Sequence, residues 1–354
     1  MEWIKPEFSK SKIDRAGDIL INEDNSAEKI NDALKILDNC RAIHAYPMHV
    51  FKVRLKRKAL YVDRNALTVQ RLKRVPAIIK KLQRKYDGHP PTMNLSQMQD
   101  IGGVRAVLSS VHLVNKLCET YYLKGELKHK KVGLKDYIKN PKYDGYRGIH
   151  LVYRYFSDKG KAEYNGLLVE IQIRSKLQHF WATAIETVDF FTRQAIKSNE
   201  GQEEWMEFFR LVSSAFAKME KCPLVPNTPS DEKELYLEIK KREIELNVIK
   251  VMRGWMLAIK VFEQEVKRVP KLQCFLLELN ITGGQLNITG YRKADEQKAI
   301  LDYAASEKKN IGKREYDVVL VGADTSTDLK KAYPNYFVDS TEFLAKLKEI
   351  ISKY

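Results

Sequence analysis

From Leu167 to Ser175 apolar and polar residues take turns along the chain. That period of two belongs to a β-strand, whose successive side chains point to opposite faces of a sheet. Val169, Ile171 and Ile173 then share a face suited to a core. Glu170, Gln172 and Arg174 share the other, so one sheet surface carries a carboxylate, an amide and a guanidinium. Gly148–Phe156 is a second strand, and the polar turn Ser157–Gly166 between the two predicts a hairpin.

The rest of the chain supplies further elements. Asn25-Ser26 suits the cap of a helix over Ala27–Tyr46, and Pro47 opens a second, basic helix to about Tyr61. Thr68–Val75 reads as extended, and Pro76 starts a helix running through Tyr86. Gly88–Pro91 reads as a loop, Gly102–Leu108 as a strand, and Val111–Tyr122 as a helix. Helices follow at 176–196 and 202–220. Cys222–Ser230 holds three prolines and marks a domain boundary. Beyond it the pattern predicts one long helix over 232–267 closed by Pro270, then a hairpin of Gln273–Ile281 and Gln285–Tyr291 around Thr282–Gly284. A helix at 293–307, a strand Tyr316–Gly322 and a terminal helix at 341–352 complete a small unit. The class is α+β: a mixed sheet flanked by helices, followed by a small C-terminal α+β domain. The expected division is 1–225 as the main domain, 226–270 as a connecting helix and 271–354 as a C-terminal domain.

The chain has 354 residues and a formal net charge of +16. Residues 50–90 hold 13 Lys and Arg against two acids, and residues 116–150 hold nine against four. A basic surface of that kind attracts phosphates, whether of nucleotides or of RNA. No apolar run approaches the ~20 residues that span a bilayer, so no membrane partner is expected. The N-terminus lacks the apolar stretch of a secretory signal. Cys40, Cys118, Cys222 and Cys274 are far apart, with no CxxC pair, so neither a zinc site nor a disulfide framework is expected and a cytoplasmic location is the default.

Chemistry-bearing residues fall in three stretches. Asp100 precedes Ile101-Gly102-Gly103-Val104-Arg105 at a strand start, with two glycines that let a ligand approach the backbone. Two carboxylates from neighbouring strand ends, Asp100 and Glu170, suit Mg²⁺, which takes few protein oxygens and completes its shell with substrate phosphates. Asp100 equally suits a turn or cap, and Glu170 a salt bridge to Arg174. Arg71 and Lys73 share one side of an extended segment, and Lys81 projects from the helix that follows. Three such cations can clamp a triphosphate without a Walker loop, and no GxxxxGK[ST] occurs. In Lys142–His150, Gly145 and Gly148 flank Tyr146-Arg147, exposing an aromatic ring and a cation. Tyr146 offers a stacking platform for a base, worth ~1–3 kcal/mol. His150 suits a hydrogen-bonded structural role, and Tyr143 partial burial.

Three blocks, Arg71-x-Lys73…Lys81, Asp100-x-x-Gly103-x-Arg105 and Lys135-Asp-Tyr-Ile…Lys142…Gly145-Tyr146-Arg147…His150…Glu170-Ile-Gln-Ile-Arg174, resemble the synthetase domain of the RelA/SpoT family in order and spacing. The resemblance spans about 65–190 and implies a nucleotidyltransferase-like synthetase fold and a pyrophosphokinase that moves the β,γ-pyrophosphate of ATP to a ribose 3′-hydroxyl. By position, Arg71, Lys73, Lys81 and Arg105 would hold ATP, and Asp100 and Glu170 would hold Mg²⁺, with Glu170 drawing the proton. Tyr146 would stack on the acceptor base, with Lys142, Arg147 and His150 contacting the acceptor. Asp144 stands where the family often has Asn, and Thr183 where many members have Glu. The absence of a His-Asp dipeptide and of an N-terminal hydrolase domain implies synthesis without degradation.

Arg147–Tyr153 and Gln178–Val188 look like a toxic branch of that family, which modifies the 3′-terminal CCA end of tRNA. Other relatives use GDP or GTP as acceptor and make (p)ppGpp. The region after Pro229 is similar to the pseudo-zinc-finger domain of CapRel-type fused toxin–antitoxin proteins. That resemblance implies that Tyr333 and Tyr336, in Tyr333-Pro334-Asn335-Tyr336, block the adenine site. It also implies that a phage structural protein releases the block, an antiviral defence role. The bland alternatives are a surface turn at Tyr333–Tyr336 and a non-catalytic RNA-binding protein.

Overall fold

In the computed structural model the described residues are 3–22, 24–73, 75–84, 93–125, 127–195, 202–257, 272–280, 285–310, 316–322 and 336–354. They divide into two compact units. One comprises residues 1–140 and 147–176, the other 141–146 and 177–354.

The first unit is built on a five-stranded sheet. Its strands are β1 (Leu67–Leu72), β2 (Gly102–Leu108), β3 (Lys130–Asp136), β4 (Ile149–Arg154) and β5 (Leu168–Ser175), in the order β1-β2-β5-β4-β3. The β2–β5 pair is parallel, and β1–β2, β4–β5 and β3–β4 are antiparallel, so the sheet is mixed. The alternation on β5 holds: Val169, Ile171 and Ile173 are fully buried, as are Ala106 and Leu108 on β2, with Val104 almost so.

Helix α3 (Ala45–Val62) packs on β1 and β2. It buries Met48, Phe51, Leu55 and Ala59, a stripe spaced three and four residues apart. Met48, Phe51 and Leu55 each contribute ~1.5–3 kcal/mol by leaving water. Gly102 makes the close approach possible, because a Cβ there would meet His44 Cβ and Met48 Cγ at 3.0 Å. Helices α1 (Lys10–Ile21), α2 (Ala27–Ala42) and α4 (Val75–Leu82) form a second cluster around Ile13, Leu37, Ile78 and Leu82. Helix α5 (Val111–Cys118) runs into a π-turn at Glu119–Leu123.

In the second unit, α6 (Lys176–Ala195), α7 (Gln202–Met219) and α8 (Glu232–Leu246) join the terminal helix α10 (Tyr336–Ile351) around Trp181, Phe208, Phe209, Phe216, Leu235, Phe343 and Leu347. The proline-rich segment lies against α7, where Val225 is buried and its N–H donates to Ser214 Oγ at 3.0 Å. A three-stranded antiparallel sheet, ordered β7 (Gln285–Arg292), β6 (Leu272–Asn280), β8 (Tyr316–Gly322), packs with α9 (Glu296–Asn310) through Leu276, Tyr291, Ala299 and Val318.

Several expectations are corrected. Ser26 does cap α2 by accepting from Lys29 N–H, but the helix ends at Ala42. α3 starts two residues before Pro47, which sits in the first turn where a missing N–H costs nothing. α4 stops at Leu82. The helix expected over 232–267 breaks at Asn247, whose left-handed φ of 49° ends α8, and 248–257 is helical again. The terminal helix begins at Tyr336, five residues before the expected start. α1 and β3 were not anticipated. Gly88–Pro91 and Thr282–Gly284 lie outside the described residues.

Candidate active site

The polar face of β5 is a connected hydrogen-bond array. Gln172 Nε2 donates to Glu170 Oε2 at 2.7 Å, while Gln172 Oε1 accepts from Arg105 Nε at 3.1 Å and Arg174 Nη2 at 3.0 Å. Glu170 Oε1 lies 2.7 Å from His150 Nδ1. A carboxylate only accepts, so the imidazole carries its proton on Nδ1. The expected Glu170–Arg174 pair is therefore replaced by a relay through Gln172.

Strand register explains the grouping. Directly opposed residues share a sheet face. Arg105, Gln172, His150 and Lys135 form one row across β2, β5, β4 and β3, and Arg71, Gly103 and Glu170 form the next across β1, β2 and β5. Gly103 leaves room beside Glu170, since a Cβ there would meet only backbone oxygens at 3.6 and 3.8 Å. Of the two glycines expected to admit a ligand, only Gly103 faces this side; Gly102 serves the packing of α3.

Asp100 sits in the turn before β2. Its Oδ2 accepts from Lys73 Nζ and its Oδ1 from Lys81 Nζ, both at 2.8 Å. Lys73 and Lys81, two of the three cations expected to converge on a triphosphate, thus meet around one carboxylate. Burial works to raise the Asp100 pKa, but the charge of Lys73 and the bonds from both lysines outweigh it and hold it below its ordinary value. Glu170 follows the same pattern. Burial and the charge of Asp100 push its pKa up, and the bonds and charge of His150 together with Gln172 bring it below normal. Both carboxyls are ionised and within each other's field.

That donor set fits Mg²⁺. Each carboxylate retains lone-pair positions beyond its hydrogen bonds, and Mg²⁺ asks one or two carboxylates plus phosphate oxygens. Among the described residues no group of three or more His, Cys, Asp or Glu is gathered, so an all-protein metal cage is not formed there.

The segment carrying Tyr146 packs with the second unit. Tyr146 is half-buried against that unit's core, with Lys142 Nζ 5.0 Å from its ring centroid. Its N–H donates to Asp144 Oδ1 at 2.9 Å, a bond the amide of Asn would also accept. Arg147, expected as an exposed cation, is 3% exposed, and Tyr143, expected to be partly buried, is 64% exposed under the Arg210 guanidinium. Thr183 is buried on α6. Tyr333, Pro334 and Asn335 lie outside the described residues, and of Tyr336 only the backbone is described. Gln172, the hub of the array, was visible on the polar side of the strand but was not singled out as a site residue. Tyr137, edge-on to His150 at 5.3 Å, stands in the Lys135-Asp-Tyr-Ile block of the sequence but was given no role of its own.

Residues 70–190 match the family described as "Region found in RelA / SpoT proteins". Over 120 residues the chain is 33% identical to GTP pyrophosphokinase YjbM of Bacillus subtilis (strain 168), covering 34% of this chain and 54% of that protein. Over 117 residues it is 32% identical to GTP pyrophosphokinase YwaC of the same strain, covering 33% and 54%. The chain spans about half the length of these curated relatives. Among solved structures, small alarmone synthetase 1 from Bacillus subtilis bound to its product pppGpp is 26% identical with a TM-score of 0.44, covering 53% of this chain and 94% of that one. A GTP pyrophosphokinase family protein from Streptococcus pneumoniae is 21% identical with a TM-score of 0.38, covering 49% and 85%. Asp100, Glu170 and the lysines that hold Asp100 thus all fall within the residues that match this family.

Proposed function

We propose that the chain is an ATP-dependent pyrophosphokinase whose acceptor is the 3′-terminal ribose of tRNA. The observation that carries the chemistry is the ionised pair Asp100 and Glu170, beside Lys73 and Lys81, inside the RelA/SpoT region. In the transfer the acceptor 3′-oxygen bonds to the β-phosphorus of ATP, the bond from that phosphorus to the α,β-bridging oxygen breaks, AMP leaves, and the hydroxyl proton passes to base or solvent. Most of the work is positioning and charge neutralisation.

Lys73, Lys81 and Arg71 meet the phosphates, and Arg105 is aimed by Gln172. Asp100 and Glu170 hold Mg²⁺, which when bound offsets phosphate charge. Glu170 orients the attacking hydroxyl by accepting its hydrogen bond. A carboxyl held below its ordinary pKa is a poor store for a proton, so orientation is its larger part. Tyr146, with Lys142 and His150, serves the acceptor, while Arg147, buried, stays within the fold.

The localised basic charge of residues 50–90 supports a polynucleotide acceptor, since each phosphate neutralised adds affinity. The second reading is a guanine-nucleotide acceptor, favoured by the names of the curated relatives. We extend the proposal to regulation: residues 271–354 act as an inhibitory and sensing domain, Tyr333 and Tyr336 obstruct the ATP site, and a phage structural protein relieves them in a cytoplasmic defence role.

One assay separates the readings. Purified protein receives ATP labelled on its β-phosphate, with tRNA and GTP in the same tube. Label on the tRNA 3′ end is expected, and label on guanine nucleotide alone overturns the tRNA reading.

A further inference from the structure

The loop at 141–146 is fastened by side chains of α6 and α7. Ser213 Oγ donates to Gly145 O at 2.6 Å in a buried setting. Gly145 has φ +91°, a conformation that side chains resist, and a Cβ there would meet Trp181 Cζ2 at 2.9 Å and Ser213 Cβ at 3.0 Å. The Arg210 guanidinium lies 4.1 Å from the Tyr143 ring centroid and is itself fixed by Glu207 at 2.6 Å and Pro226 O at 3.1 Å. Away from the loop the contacts continue. Trp181 Nε1 donates to Phe209 O at 2.8 Å, and the Phe209 and Phe216 rings lie 5.8 and 6.0 Å from that of Phe343 on α10. Phe343 is fully buried.

We infer that α10 positions the acceptor loop: Phe343 supports Phe209 and Trp181, these fix Gly145, and Gly145 sets where the Tyr146 ring stands. Interiors packed at crystal density pass small displacements on, so a shift of Phe343 is felt at the loop. Asp100, Lys73, Lys81 and Glu170 belong to the other unit. A change at Phe343 therefore acts on acceptor affinity through the loop, whereas an effect of α10 on ATP runs through Tyr336 at its start. The inference rests on the reading of Tyr146 as the acceptor platform; the positioning of the loop stands apart from that reading.

Hydrogen–deuterium exchange on the full chain tests it, comparing wild type with Phe343→Ala, Phe343→Leu and Ser213→Ala. Amides of 142–146 should exchange at least about tenfold faster in Phe343→Ala and Ser213→Ala, with β5 amides unchanged and Phe343→Leu near wild type. Ser213→Ala removes a single hydroxyl and keeps the test open where Phe343→Ala unfolds the chain. Unchanged loop exchange in both, or equal acceleration in β5, overturns the inference. In the transfer assay the same variants should raise the acceptor KM and spare the ATP KM. If Tyr146→Ala leaves the acceptor KM unaltered while loop exchange responds as expected, the platform reading fails and the positioning role survives. If Tyr146→Ala raises it and Phe343→Ala changes neither exchange nor KM, the positioning role fails alone.

Discussion

His150 donates to Glu170 across adjacent strands, with Nδ1 2.7 Å from Oε1, and so lowers the pKa of a carboxyl that burial pushes up. Replacing the donor gives the first prediction. His150→Leu should raise the Glu170 pKa and move the acid limb of the rate profile to higher pH. At neutral pH the rate should fall about tenfold, the usual cost of losing a supporting hydrogen bond. His150→Gln, which can still donate, should recover most of it. A pH–rate profile of the three proteins checks this, and an unmoved acid limb counts against the pairing.

Glu170→Gln and Asp100→Asn should each lower transfer about a thousandfold, or ~4 kcal/mol of transition-state stabilisation. Circular dichroism should show the fold retained. Growth arrest that survives both changes would point to the non-catalytic RNA-binding reading.

Lys73 and Lys81 share Asp100, so their effects should not add. Each single Ala variant should raise the ATP KM about tenfold. A double-mutant cycle should give a coupling of ~1 kcal/mol, and strict additivity would mean that the two act on ATP independently.

His44 sets an acid limit on stability. It is buried with Nδ1 2.7 Å from Cys40 O, and burial pushes its pKa down to about 4 from 6.5. The unfolded chain therefore binds a proton that the folded chain refuses between those values. Stability contributed by the neutral ring is full above pH 6.5 and is lost as pH falls toward 4, at up to ~1.4 kcal/mol per unit. Asp100 and Glu170 add acid sensitivity at lower pH, because carboxyls with lowered folded pKa lose their contribution as pH falls through it. Thermal melts from pH 7.5 to 4.5 should show Tm falling with pH, less steeply in His44→Gln.

Tyr333→Ala with Tyr336→Ala should raise basal transfer about tenfold or more if the pair obstructs the ATP site. The labelled-ATP assay without any trigger measures it, and unchanged basal activity removes the plug from the proposal.

Strands and site were legible in the sequence to different degrees. The β5 alternation announced both its core face and its polar face, because one face is buried and the period of two leaves no other register. β3 stayed hidden because it is an edge strand whose Lys130, Lys131, Val132 and Leu134 all face solvent, so no apolar alternation marks it. The break at Asn247 was lost within a helical pattern that continues on both sides, and a left-handed Asn is an ordinary helix ending. Asp100 was recognised by its glycines, yet its capture by two lysines depends on side chains 19 and 27 residues away. Arg147 misled because its glycine neighbours suggest exposure, while burial is decided by distant residues.

The interleaving of the two units has a consequence for inheritance. The 141–146 loop is an insertion in the first unit's chain that folds with the second, and α7 buries Phe208, Phe209 and Phe216 against α8 and α10. A chain cut after residue 225 would keep these rings and lose Leu235, Phe343 and Leu347 that cover them. The C-terminal region therefore cannot be exchanged by simple grafting at the proline-rich segment. The helices that would receive the graft already hold the 141–146 loop, so those helices and the loop must change together.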